Sequence, residues 1–212
     1  AWNDGSYYEA TKAGTTAADG RVFGIPSDTD TRGLWVNVDV LEAAGLGADW
    51  QPTNWQEILD GAQKIKDWNP DSVPMWMASS AVEAEGTTMN SFLMFYYGTG
   101  ERLVDDETGI WNINSQGMYD SLKFFADLYA LGLGGAEYEV IDANASATMA
   151  DYFQNGELGI YLNGNWFYSR FLETGASPWE GYADHMKFIK MPNQAGDGFT
   201  TLSGGWCLTL SA

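Results

Sequence analysis

Residues 156 to 166 read Gly-Glu-Leu-Gly-Ile-Tyr-Leu-Asn-Gly-Asn-Trp, a spacing that delivers an indole to the surface from the end of an extended run. Leu158, Ile160 and Leu162 fall on one face of a strand, Gly159 and Tyr161 on the other, and Asn163-Gly164-Asn165 is expected to turn the chain. Trp166 follows where a helix can begin. A side chain presented by a strand end and a tight turn is fixed in place yet faces outward, which suits stacking on a ligand better than filling a core. Asn163 and Asn165 add amide hydrogen-bonding groups beside it. Asp28, Asp30 and Arg32 crowd a second polar segment, Ser27 to Arg32.

Several elements must position these groups. Asp19-Gly20 is a turn signal after a short N-terminal helix, and Leu34-Trp35-Val36 reads as a strand ending at Asn37, followed by a helix over Val38 to Gly45. Thr53 with Gln56 and Asn54 with Glu57 form two overlapping capping boxes, so a helix starts near Trp55. Its apolar face is Trp55, Ile58, Leu59, Ala62, Ile65 and Trp68, and Asn69-Pro70 ends it because proline disfavours helical geometry in the residue before it. Val73 to Met77 reads as a buried strand, Thr88 to Tyr97 as a buried helix, and Asp105 to Gly109 as an exposed turn between Leu103-Val104 and Ile110-Trp111. Asn114 is the expected cap of a helix whose inner face is Met118, Leu122, Phe125, Leu128 and Tyr129. Ser146 to Gln154 gives another helix with Met149 and Phe153 inward, and a helix is expected from Trp166 to Glu173. Met186 to Met191 and Leu202 to Leu210 read as strands, the second broken at Gly204-Gly205. Alternating strands and helices argue for an α/β architecture.

Composition narrows the chemistry. With 29 acidic against 10 basic residues, the net charge of -19 opposes binding to nucleic acid or to an anionic membrane surface. Cys207 is the only cysteine and His185 the only histidine, which excludes an internal disulfide and leaves zinc chemistry without support. Cys207 reads as a buried strand thiol. The acidic turn at Asp105 lacks the alternating oxygens and closing glutamate of a calcium loop. No apolar run reaches the length of a membrane span, and no catalytic triad is visible.

The chain resembles the extracellular solute-binding proteins of the sugar-binding class related to maltose-binding protein. The match is carried by Asp19-Gly20-Arg21-Val22-Phe23-Gly24-Ile25-Pro26, Leu34-Trp35-Val36-Asn37 with Ala43-Ala44-Gly45-Leu46, and Pro52-Thr53-Asn54-Trp55-Gln56-Glu57-Ile58. It continues through Phe153-Gln154-Asn155-Gly156-Glu157 and Asn163-Gly164-Asn165-Trp166 to Lys190-Met191-Pro192 and Ser203-Gly204-Gly205-Trp206. Each piece is weak alone, and their order and spacing make the signal. The resemblance implies a type II periplasmic-binding-protein-like α/β fold of two lobes flanking a cleft that closes by a hinge. On that pattern residues 1–37 end the first lobe and cross over, 38–191 form most of the second lobe, and 192–212 cross back. Most of the first lobe would then lie outside this chain.

For the site, the resemblance places Trp166 where an indole stacks on a sugar ring and aligns Asp30 with an acidic cleft residue, with Asp28 and Arg32 in the same loop. Glu83 or Glu85 would supply a further acid from the loop after Val73 to Met77, a loop whose length departs from the family pattern, so the two are not distinguished. Gly204 and Gly205 would bring backbone close to the ligand, and Trp206 would either stack or fill a strand position. The implied function is binding of a saccharide, with no catalytic residue, metal or cofactor, and its delivery to the permease of an ABC-type importer. A monomer is expected, exported and held as a lipoprotein in the full-length parent. The alternatives are a receptor for a non-sugar solute on the same fold and a carbohydrate-active enzyme. The enzyme would be a glycosidase with paired carboxylates or a metal-dependent sugar transferase using Asp28-Thr29-Asp30.

Overall fold

A computed structural model of the chain describes residues 5–78, 86–135 and 145–210; Glu83 and Glu85 fall outside the described residues. In chain order the elements are α1 (Glu9–Ala13), β1 (Ile25–Pro26), β2 (Asp30–Asn37), α2 (Val38–Ala43), α3 (Trp55–Trp68), β3 (Val73–Met77), a π-helical turn (Thr87–Phe92), α4 (Leu93–Gly98) and α5 (Gln116–Ala130). Then come α6 (Ala145–Gln154), β4 (Leu158–Gly164), a 3-10 helix (Asn165–Phe171), α7 (Tyr182–His185), β5 (Met186–Ile189), β6 (Met191–Pro192), β7 (Phe199–Thr200), β8 (Ser203–Gly204) and β9 (Cys207–Leu208). Two compact units result, Ala1–Thr31 with Leu202–Ala212, and Arg32–Thr201.

The larger unit is built on a mixed sheet in the order β3-β4-β2-β5. β3 and β4 run parallel, with Met75 opposite Ile160, while β4 and β2 are antiparallel, with Arg32 opposite Gly164 and Leu34 opposite Leu162. All seven residues of β4 are buried, so the alternation expected from its sequence is absent. A central strand covered on both faces has no solvent side to mark with polar residues. Trp76 and Tyr161 lie side by side with ring centroids 4.9 Å apart, and Phe167 meets Tyr161 edge-on at 4.6 Å and Trp35 at 5.9 Å. Phe153 of α6 and Phe171 complete this aromatic cluster with Met149.

The helix at Trp55 is capped by Asn54 as expected, but the return bond of this second capping box goes to the amide one residue before the cap. The Glu57 amide donates to Asn54 Oδ1 at 3.0 Å, and the Glu57 carboxylate accepts from the Thr53 amide at 2.7 Å. Gln56 instead donates to Asp60, so the Thr53–Gln56 box does not form. Trp55, Ile58, Leu59, Ala62 and Ile65 are buried, but Trp68, in the last turn, is exposed, contrary to the expected face.

Other expectations are corrected. Ser115, not Asn114, caps α5, its hydroxyl accepting from the Met118 amide at 3.2 Å. The buried stripe of α5 is Gly117, Ser121, Phe124 and Leu128, while Leu122 is exposed. Gly117 explains the rotation: a Cβ there would lie 2.5 Å from Thr99 Oγ1, so the helix approaches α4 through its smallest residues and seats Phe124 against Phe95 at 4.2 Å. Thr88 to Tyr97 is helical but divides into the π turn and α4. Asn163-Gly164-Asn165 is not a turn, since β4 continues through Gly164 and Asn165 opens the 3-10 helix, which ends at Phe171 rather than Glu173.

In the smaller unit β1 pairs antiparallel with β9, Ile25 opposite Leu208 and Pro26 opposite Cys207. Asp30 and Thr31 pair with Gly204 and Ser203. Cys207 is exposed, not buried, because a two-residue strand in a two-stranded ribbon has no packed layer to bury it.

Candidate solute-binding surface

Trp166 is set on the sheet by its neighbour two residues back. A Cβ built on Gly164 would lie 1.8 Å from Cζ3 of the indole and 2.1 Å from each of the two adjoining ring atoms, which puts it within the face of the benzo ring. Only glycine permits that approach. The Gly164 amide donates to Asn163 Oδ1 at 2.7 Å and its carbonyl accepts from Trp35 Nε1 at 2.8 Å, so both polar groups of the seat are satisfied. Trp166 is 39% exposed, in contrast to the core indole of Trp76 at 1%. The indole is therefore neither a core filler nor a loose surface group. Asn165 lies half-buried at the start of the 3-10 helix, and Asn163 is buried.

Arg32 stands opposite Gly164 in the register. Its guanidinium carbon is 5.2 Å from the centroid of the Trp166 ring, within cation–π range. Nε donates to Asn90 Oδ1 at 2.8 Å. The Arg32 backbone is clamped by Thr201, whose hydroxyl accepts from the Arg32 amide at 3.0 Å and donates to the Arg32 carbonyl at 2.9 Å. Asn90 and Thr201 were not singled out by sequence reading. The available signal for Asn90 was a lone amide within the apolar run ending at Tyr97; for Thr201 there was none.

Asp28, Asp30, Gly205 and Trp206 all belong to the smaller unit. Asp28 Oδ1 accepts from the Trp206 amide at 2.7 Å, and Asp30 Oδ1 from the Gly204 amide at 3.0 Å, so both carboxylates hold the backbone of the Ser203–Trp206 segment. Gly205 has φ +134°, and a Cβ there would meet the Asp28 carbonyl oxygen at 2.5 Å. The Trp206 carbonyl accepts from the Ser27 amide at 2.9 Å, while its side chain is 79% exposed and fills no core position.

The acidic turn of the larger unit is satisfied from within. Asp105 Oδ1 accepts from the Glu107 and Thr108 amides and from the Thr108 hydroxyl, and the Thr108 hydroxyl bond above all holds its carboxyl below the usual carboxylate range. Open hollows of about 640 and 250 Å³ lie beside this turn and between α3 and α5, and neither is lined by Arg32, Asn90 or Trp166. Among the described residues no three histidine, cysteine or acidic side chains converge as a metal site would, and no helix is long and apolar enough to cross a membrane.

The architecture is that of the type II periplasmic-binding proteins. The chain belongs to the bacterial extracellular solute-binding protein family, whose model matches residues 1–201. It is 31% identical over 154 residues to YcjN of Escherichia coli strain K12, named for the periplasmic-binding proteins of ABC transporters, with 70% of this chain and 34% of that protein covered. Among solved structures it superimposes on the maltose-bound MalE3 of T. maritima with a TM-score of 0.74 at 23% identity, covering 97% of this chain and 49% of the other. A solute-binding protein of Thermotoga lettingae bound to α-D-tagatose also gives 0.74, at 25% identity, covering 96% and 48%. The chain thus spans about a third of YcjN and about half of each of the two solved structures.

Proposed function

We propose that this chain, within a solute-binding protein of the length its relatives have, binds a carbohydrate and presents it to the permease of an ABC importer without chemical turnover. The observation that carries this reading is the half-exposed Trp166 indole seated on Gly164 at the end of a fully buried strand. A sugar ring offers a face of C–H groups that stacks on an aromatic surface, and hydroxyls at its rim for amides and carboxylates. The maltose and tagatose held by the two structural relatives support the same ligand class. Trp166 is assigned the stacking role, Asn165 a rim contact, and Asp28, Asp30, Arg32, Glu83 or Glu85, Gly205 and Trp206 supporting contacts. Residues 38–191 are assigned to the second lobe, with 1–37 and 192–212 as the first-lobe end and the crossings. The protein is exported and lipid-anchored as a monomer in this reading.

The test is intrinsic tryptophan fluorescence of the longer protein titrated with maltotriose and other oligosaccharides, with product analysis alongside. A saturable change without products is expected, and formation of products would sink the receptor reading. Trp166→Ala should cost about 1–3 kcal/mol of binding; unchanged affinity would remove the indole from the site. A non-sugar solute is the second reading, favoured by Arg32 beside the indole, because a guanidinium pairs with carboxylates. Saturation by an organic acid but by no oligosaccharide would select it.

A further inference from the structure

We infer that Asn90 is a positioning residue for Trp166 that acts through Arg32: the amide fixes the guanidinium, and the guanidinium fixes the orientation of the indole. The inference rests on the proposed function only for the statement that Trp166 meets the ligand. Its geometric basis is independent of any ligand.

An arginine side chain is long and has many rotamers, so a guanidinium placed over a ring needs a tether to stay there. Here one such tether is the bond from Nε to Asn90 Oδ1 at 2.8 Å. Nε is the nitrogen nearest the stem, and a bond at that atom orients the whole planar group. The backbone from which the side chain springs is also held, because Thr201 bonds both the Arg32 amide and the Arg32 carbonyl. With backbone and head both held, the guanidinium carbon sits 5.2 Å from the indole centroid. Gly164 contacts the benzo face of the same ring, so two elements, β4 and the π turn acting through Arg32, bear on the orientation of one indole.

The position of Asn90 is itself unusual. It lies in the π-helical turn Thr87–Phe92, which runs directly into α4. A π turn is rare, frequently marks functional sites, and carries one residue more per hydrogen-bonded ring than an α turn. It leaves Ser91, Leu93 and Met94 buried while Asn90 is half-buried and meets Arg32. An amide there serves the arginine rather than the helix.

The experiment uses the longer protein labelled with 5-fluorotryptophan, read by fluorine NMR with no sugar present. Trp166→Phe identifies the Trp166 resonance, and the other tryptophans, nine of them in this chain, report on the rest of the molecule. In Asn90→Ala and in Arg32→Met, which keeps the stem and loses the charge, the Trp166 resonance is expected to shift by more than its linewidth. The double variant should move it no further than Arg32→Met alone, since both changes cut one relay. Asn90→Asp, which keeps an acceptor oxygen for Nε, should return it to its original position. The inference is overturned if the Trp166 resonance stays in place in Asn90→Ala, if Asn90→Asp behaves as Asn90→Ala does, or if all the tryptophan resonances move together. Failure of the longer protein to bind oligosaccharide would remove the functional reading and leave this result standing.

Discussion

Two glycine-led tryptophans occupy different units, Gly164-Asn165-Trp166 in the larger and Gly204-Gly205-Trp206 in the smaller, and the chain holds them in opposite ways. At Trp166 the side chain is what is fixed: the indole rests on Gly164, has Arg32 over it, and is 39% exposed. At Trp206 the backbone is what is fixed. Asp28 accepts from its amide, Ser27 donates to its carbonyl, and the indole itself is 79% exposed. The same residue types therefore give a preorganised surface in one place and an anchored segment with an open side chain in the other. A preorganised ring loses less freedom when a ligand arrives, which is why Trp166 carries the functional proposal.

The sharpest way to break this comparison is to remove what lies under the seat. Trp35→Ala deletes a buried indole that packs on Phe167 and Phe188 and donates to the Gly164 carbonyl. It should cost about 3–5 kcal/mol in chemical denaturation. Gly164→Ala tests the seat itself. Its methyl would enter the benzo face, so a loss of about 1–3 kcal/mol is expected together with a changed Trp166 environment in fluorescence. A neutral Gly164→Ala would show the indole to be mobile and the two tryptophans alike. In the smaller unit Asp28→Ala should cost about 0.5–1.5 kcal/mol, the worth of one hydrogen bond, and should leave the Trp166 signal unmoved.

The smallest effect belongs to a control region away from both tryptophans. Glu101 is held below the usual carboxylate range first by the Ser115 hydroxyl and then by the Gly117 amide, with Tyr96 and Asn112 adding to it. A carboxylate with a lowered folded pKa stabilises the native state above its unfolded value, and this contribution is lost as pH falls through the lowered one. A modest loss of stability below about pH 4 is thus expected, and Glu101→Gln should flatten that part of the profile. An unaltered acid limb in Glu101→Gln would assign it to other carboxylates.

Much of the local structure is legible in the sequence. The Asn54 cap, the end of α3 before Pro70, the buried β3 and the inward Met149 and Phe153 of α6 all follow from short-range rules, because caps, proline and periodicity act within a few residues. The inner face of α5 did not follow, since the choice between Phe124 and Phe125 depends on how closely Gly117 lets another element approach. Trp166 was legible as an outward indole at the end of a strand. Its seat was not, because Asn163-Gly164-Asn165 carries the residue types of a turn and the pairing of β4 with β2 overrides them.

By itself the sequence determined the α/β order, the family, the absence of a basic surface and the outward place of an indole after β4, all properties of composition, order and local rules. Only the tertiary structure decided that Asp28 and Asp30 bind backbone amides, that Arg32 lies over Trp166, and that Asn90 and Thr201 hold Arg32. Asn90 stands 58 positions from Arg32 and Thr201 stands 169, and no periodicity or propensity spans such separations. Strand register and the packing of the π turn bring those groups within hydrogen-bond reach, and both are fixed by the burial of the sheet as a whole.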